Sequence, residues 1–186
     1  MPTRRAQSFL GTLWCHGNAV QTLATLHGGP VWVNRLGDSG VLPGLASTVR
    51  NDSHLLSCQS GTTVPPLLLY FRQTARGYRL YVREQGKYFG KGIYLYDDKF
   101  LGVGSVGSND PEALVIRNRQ GKVVSLADLA GDEHVVRLET AGRLLALGRR
   151  RYSPHLYVTM GDATPLTWTL KIVERDVPWL AEPYEE

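Results

Sequence analysis

The sequence predicts an all-β chain of about twelve strands in three units of four, and three observations carry that prediction. A frame of Gly, Pro four residues later and large apolar residues at Pro plus three and plus five occurs three times: Gly61 to Tyr70, Gly107 to Ile116 and Gly161 to Leu170. A second frame starts at Gly40, Gly86 and Gly142, and each Gly precedes an apolar anchor, Leu55, Leu101 or Leu156, by 14 or 15 residues. Offsets are 46 and 56 residues for the second frame and 46 and 54 for the first, so the two frames keep one phase. The third observation is texture: from Val31 onward, short β-branched and aromatic runs alternate with Gly, Pro, Asn and Asp, which is strand and turn chemistry.

Each unit then predicts its strands in order. The first strands are Val31 to Leu36, Tyr78 to Val82 and Val135 to Leu138; the second are Val41 to Leu45, Lys87 to Phe89 and Arg143 to Leu147. The third strands hold the anchors, in His54 to Cys58, Phe100 to Val103 and His155 to Met160. The fourth follow the Pro, in Leu67 to Phe71, Ala113 to Arg117 and Thr167 to Val173. Proline cannot donate to a ladder and glycine tolerates positive φ, so the Gly-to-Pro interval reads as a loop leading into the fourth strand. Trp168 and Leu170 alternate with Thr167, Thr169 and Lys171, the period of a half-buried strand. Trp168, Leu114 and Leu68 are expected to meet in one core layer.

Three units of four strands resemble a β-trefoil, a six-stranded barrel capped by three hairpins, over roughly residues 30–176. The units are residues 30–73, 74–130 and 131–176. Residues 1–29 read as an N-terminal extension packed on the barrel, in which Leu10, Leu13, Trp14, Val20, Leu23 and Leu26 line a short helix or cover the open end of the core. Val123 to Leu129 adds a turn of helix between the second and third units, and residues 177–186 form a surface tail.

With 186 residues, 42% apolar, the chain is long enough to bury one ordinary core. The net charge of +4 biases it weakly toward anions and falls short of the concentrated charge of a nucleic-acid binder, so specific nucleic-acid binding is not expected. No apolar run is long enough to span a membrane. Arg4-Arg5 is followed by no continuous apolar stretch, so no cleavable signal peptide is expected, and the protein is placed in the cytoplasm or released by a non-classical route. Cys15 and Cys58 leave one bridge or two free thiols open, and free thiols are the expectation.

No motif completes a catalytic constellation, and the expectation is a non-enzymatic protein without cofactor or metal. Gly37-Asp38-Ser39-Gly40 matches the nucleophile tetrad of chymotrypsin-like proteases, but no acidic residue precedes Asp38, so that family's order of triad residues is impossible. Cys15 and His16 are adjacent and point apart on an extended chain. His16, His27, His54, His134 and His155 lack zinc-ligand spacing, and His54 and His155 occupy equivalent repeat positions.

Function is therefore sought where the copies differ. The aligned loops between second and third strands are Asn51-Asp52-Ser53, Tyr94-Leu95-Tyr96-Asp97-Asp98-Lys99 and Gly148-Arg149-Arg150-Arg151-Tyr152. β-Trefoils place function on loops over a rigid support. Ricin-type lectins carry Gln-x-Trp in each repeat, which is absent here. Gly86 to Gly90 is similar to the glycine and aromatic pattern of fascin-like trefoils, and protease-inhibitor trefoils of similar length remain open. The resemblance, read with these loops, implies a lectin-like carbohydrate-binding protein. Tyr94, Tyr96, Asp97 and Asp98 supply an aromatic platform with acidic acceptors, and Arg149, Arg150 and Arg151 an anion-binding loop. The alternative partner is a protein, bound by an inhibitor or by a targeting domain of a toxin or effector.

Overall fold

The computed structural model describes residues 5–34, 49–61, 63–161 and 166–177, in which fourteen strands form. In chain order they are β1 (Phe9–Cys15), β2 (Asn18–Thr22), β3 (Trp32–Asn34), β4 (Val49–Asn51), β5 (Leu56–Cys58), β6 (Leu69–Thr74) and β7 (Gly77–Val82). Then come β8 (Gly92–Tyr96), β9 (Phe100–Gly104), β10 (Ala113–Arg117), β11 (Glu133–Thr140), β12 (Arg143–Arg149), β13 (Leu156–Met160) and β14 (Trp168–Arg175). One α-helix, α1 (Leu23–His27), starts on a Thr22 cap and stops at Gly28, whose φ of 68° favours glycine.

The chain is all-β, with a large antiparallel sheet of twelve strands and a separate two-stranded ladder, β3–β4. Six strands pair in a closed ring: β1 with β6, β6 with β7, β7 with β10, β10 with β11, β11 with β14, and β14 back to β1. Three further pairs, β2–β5, β8–β9 and β12–β13, are linked to the ring through β1–β2, β7–β8 and β11–β12, and β9 also pairs with β13.

The main core fills the ring. Inward positions alternate along each strand, as period-2 geometry requires, giving Leu69 and Phe71 from β6, Leu80 and Val82 from β7, Leu114 and Ile116 from β10, and Trp168 and Leu170 from β14. A second cluster of Leu23, Val31, Val33, Leu55, Phe100 and Tyr157 packs α1 and the β3–β4 ladder onto the sheet.

Residues 9–22 differ from expectation. They are no packed extension: β1 lies between β6 and β14 and closes the ring, while β2 pairs with β5. Phe9, Leu13 and Cys15 of β1 join the main core while Leu10 packs in a separate cluster, and of the six residues expected to line a helix or cover the core only Leu23 and Leu26 belong to α1. The run from Val31, expected as the first strand of the first unit, pairs with β4 in the separate β3–β4 ladder, and the strand expected over Val41 to Leu45 lies outside the described residues.

Two register differences follow. Leu68 points away from the main core, against Leu10, Tyr70, Tyr81 and Val177. Of the two adjacent prolines, Pro66 is the equivalent of Pro111, so Leu69 joins Leu114 and Trp168 in the core cluster. Lys87 to Phe89 forms a turn, and the second strand of that unit is β8, which places Tyr94 and Tyr96 on a strand rather than in a loop. The fourth strands of the second and third units fall where expected, as β10 and β14, and Leu126–Asp128 forms a 3-10 turn within the stretch expected to be helical.

Candidate functional site

β8 turns into β9 through Asp97 and Asp98, both at positive φ (50° and 51°), a conformation Asp tolerates better than most residues, and the Lys99 N–H closes the turn on the Tyr96 carbonyl at 3.1 Å. Alternation along β8 sends Ile93 and Leu95 to the core and leaves Tyr94 and Tyr96 on the other face. There they meet glycines. A Cβ at Gly104 would lie 2.6 Å from the Tyr96 hydroxyl oxygen and 2.9 Å from Tyr94 Cδ2; one at Gly102 would lie 3.0 Å from Tyr96 Cε2, and one at Gly92 2.9 Å from Tyr94 Cε2. Both rings therefore rest on bare backbone.

Their hydroxyls are tied down as well. Tyr94 donates to the Asn109 carbonyl at 3.0 Å and Tyr96 to the Val103 carbonyl at 3.2 Å. Burial raises both phenol pKa values above the usual tyrosine value, so the donors stay protonated at neutral pH. The Tyr96 ring also meets the His54 ring edge-on, with centroids 4.4 Å apart.

The three aligned loops converge beside this ladder, on a residue the sequence reading did not single out. Asp52, whose side chain is fully buried, accepts from Arg50 Nε at 2.8 Å and Arg150 Nη1 at 2.9 Å on one oxygen, and from the Tyr157 hydroxyl at 2.6 Å on the other. Ser53 caps the same turn, where its N–H donates to the Asn51 side chain at 3.0 Å and its hydroxyl oxygen accepts from Val31 N–H at 2.8 Å. Arg150 also ion-pairs with Asp97 and stacks over Phe100, 5.0 Å from the ring centroid. One guanidinium thus joins all three loops.

That geometry separates the expected anion-binding residues. Arg150 faces inward onto two carboxylates, whereas the exposed Arg149 donates to the Pro154 carbonyl at 3.1 Å and Arg151 lies over Tyr152. The three guanidiniums do not converge on one point. Asp97 is held by Arg150, and Asp98 is exposed, with its carbonyl accepting from Arg143 Nη2 at 3.1 Å.

Burial sets the protonation of the surrounding groups. The Tyr157 phenol is pushed up to about 12, first by desolvation and then by the Asp52 carboxylate that its hydrogen holds. His54 is lowered, first by burial and further by Arg150, with Asp52 opposing; His155 is lowered by burial and by His27, whose ring centroid is 4.7 Å away. Both histidines are neutral at pH 7. Among the described residues, no group of three or more His, Cys, Asp or Glu is placed to hold a metal ion. Gly37 to Gly40 lies outside the described residues.

A separate open cavity of about 390 Å³ lies between α1 and the β7–β8 connection, lined by Thr25, Gly28, Glu84, Lys87 and Tyr88 among others, and by none of the expected binding residues. Trp32 and Val49 stand on one face of the β3–β4 ladder, 62% and 49% exposed. No protein family, curated relative or solved structure matches the chain.

Proposed function

We propose that this chain is a non-enzymatic β-trefoil that binds carbohydrate on the Tyr94 and Tyr96 face of its β8–β9 hairpin. A barrel of alternating first and fourth strands, with three capping hairpins, is the pairing a trefoil requires, and the closed ring of six strands supports that reading. For the ligand, the carrying observation is the pair of tyrosine rings seated on Gly92, Gly102 and Gly104. Rings fixed against backbone, with their hydroxyls already bonded, lose little freedom when a pyranose face stacks on them. Asp98 beside the turn and Asp110, which pairs with Arg79 at 2.7 Å, supply acceptors at either end. A glycan array probed with the wild-type protein and with Tyr94→Ala tests the proposal. Binding to a defined glycan subset that the variant loses supports it, and signal no higher than background on every glycan overturns it.

A protein partner is the second reading, favoured by the exposed Trp32 and Val49 on a ladder inserted between β2 and β5. An inhibitor or targeting domain would present such an apolar face at its contact. Protease inhibition assays and affinity capture, each repeated with Trp32→Ala, distinguish it, because that substitution leaves the tyrosine ladder untouched.

A further inference from the structure

Cys15 ends β1 opposite Asn18 on β2, and Val20, further along β2, lies opposite Cys58 on β5. The two cysteines are thereby brought together across the start of β2. Cys58 Sγ lies 3.2 Å from the Cys15 carbonyl oxygen and 3.4 Å from that of Asn18. Both are free thiols, 1% and 4% exposed. A single buried cysteine packs as a small hydrophobe, but here the thiol of Cys58 meets the backbone of a second buried cysteine 43 residues away.

We propose that Cys15 and Cys58 are an oxidisable pair, converted by thiol–disulfide exchange with a low-molecular-weight disulfide into a bond that ties the β1–β2 hairpin to β5. In the first step the Cys58 thiolate attacks the small disulfide, forming a mixed disulfide and releasing one small thiol. In the second, Cys15 loses its proton, attacks Cys58 Sγ and displaces the other small thiol. Two protein thiols and one small disulfide become one protein disulfide and two small thiols. The order follows from the pair itself: the neighbouring Cys15 lowers the Cys58 pKa, while Cys58 and burial raise that of Cys15. Access comes through β5, a strand of three residues whose ladder runs along β2. The bond encloses α1 and the β3–β4 ladder, so it restrains the part of the unfolded chain that carries Trp32.

The test incubates the wild-type protein with excess oxidised glutathione, just below its thermal midpoint, followed by thiol titration, intact mass, a non-reducing peptide map and a thermal melt. Both thiols should disappear together, with loss of two hydrogens and a Cys15–Cys58 crosslinked peptide. The midpoint should rise by about 5–10 °C and return on reduction with dithiothreitol. Cys15→Ser should stop at a glutathione adduct on Cys58. Thiols that remain titratable in the wild type, a stable glutathione adduct on it, or a disulfide between two chains would each overturn the proposal without touching the carbohydrate reading.

Discussion

Asp52 lies without solvent contact between Arg50 and Arg150, whose side chains are themselves only 13% and 16% exposed. Replacing it with Ala leaves two nearly buried guanidiniums without their shared carboxylate, and breaking such an arrangement costs about 3–5 kcal/mol. Urea unfolding of Asp52→Ala should show that loss with an unchanged slope, since the surface exposed on unfolding is the same. Tyrosine ionisation makes a second prediction. Tyr78, buried and accepting from the Leu126 N–H at 2.8 Å, and Tyr157 each have a folded pKa near 12 against an ordinary value of 10.0. Below pH 10 both folded and unfolded chains hold these protons, so the stability is fully present; between about pH 10 and 12 the unfolded chain ionises first and stability is lost. Urea midpoints should therefore be level from pH 8 to 10 and fall steeply above, and Tyr78→Phe should make the fall shallower. None of this was legible locally: the partners of Asp52 at Arg150 and Tyr157 lie 98 and 105 residues away. What the sequence did mark was the three loop segments themselves, which Arg150 joins through Asp52 and Asp97.

At the scale of single strands, β8 shows how a visible pattern was misassigned. Ile93 and Leu95 alternate with Tyr94 and Tyr96, and the facing strand carries Gly102 and Gly104, so both halves of the ladder are written in period two. The aromatic stretch Lys87 to Phe89 competed for the same strand, and lost because the chain turns there, with Gly90 N–H bonding back to the Val82 carbonyl at 2.9 Å. The Pro65-Pro66 pair likewise offered two registers one residue apart, and a one-residue slip reverses every side chain. The glycines give a direct check. A methyl on Gly102 would meet Leu55 Cδ2 at 2.8 Å, Tyr96 Cε2 at 3.0 Å and His54 Cδ2 at 3.1 Å. Gly102→Ala should cost about 1–3 kcal/mol and loosen the Tyr96 ring, seen as lower thermal stability and a shifted Tyr96 ring signal by NMR.

Across the whole molecule, the strands expected over Tyr78 to Val82, Ala113 to Arg117, Val135 to Leu138 and Thr167 to Val173 were legible, and they fall on β7, β10, β11 and β14. The first unit was not, since α1 and the β3–β4 ladder are inserted between β2 and β5 and supply strand-like runs of their own. Counting back from Leu55 therefore reaches the run of β3 before it reaches β1. A chain beginning at Pro30 removes the strand between β6 and β14 and, with it, the buried Phe9 and Leu13. It should lose the cooperative thermal transition that a chain with an expendable extension would keep. The ligand proposal rests on the β8–β9 hairpin, which joins the ring through the pairing of Gly92 with Tyr81 of β7. Isothermal titration of the strongest array glycan into the wild-type protein and Tyr94→Ala, each first shown to melt cooperatively, tests the account most directly. A saturable wild-type isotherm weakened about tenfold or more by the substitution is the predicted result. Equal affinity in the two proteins would contradict it.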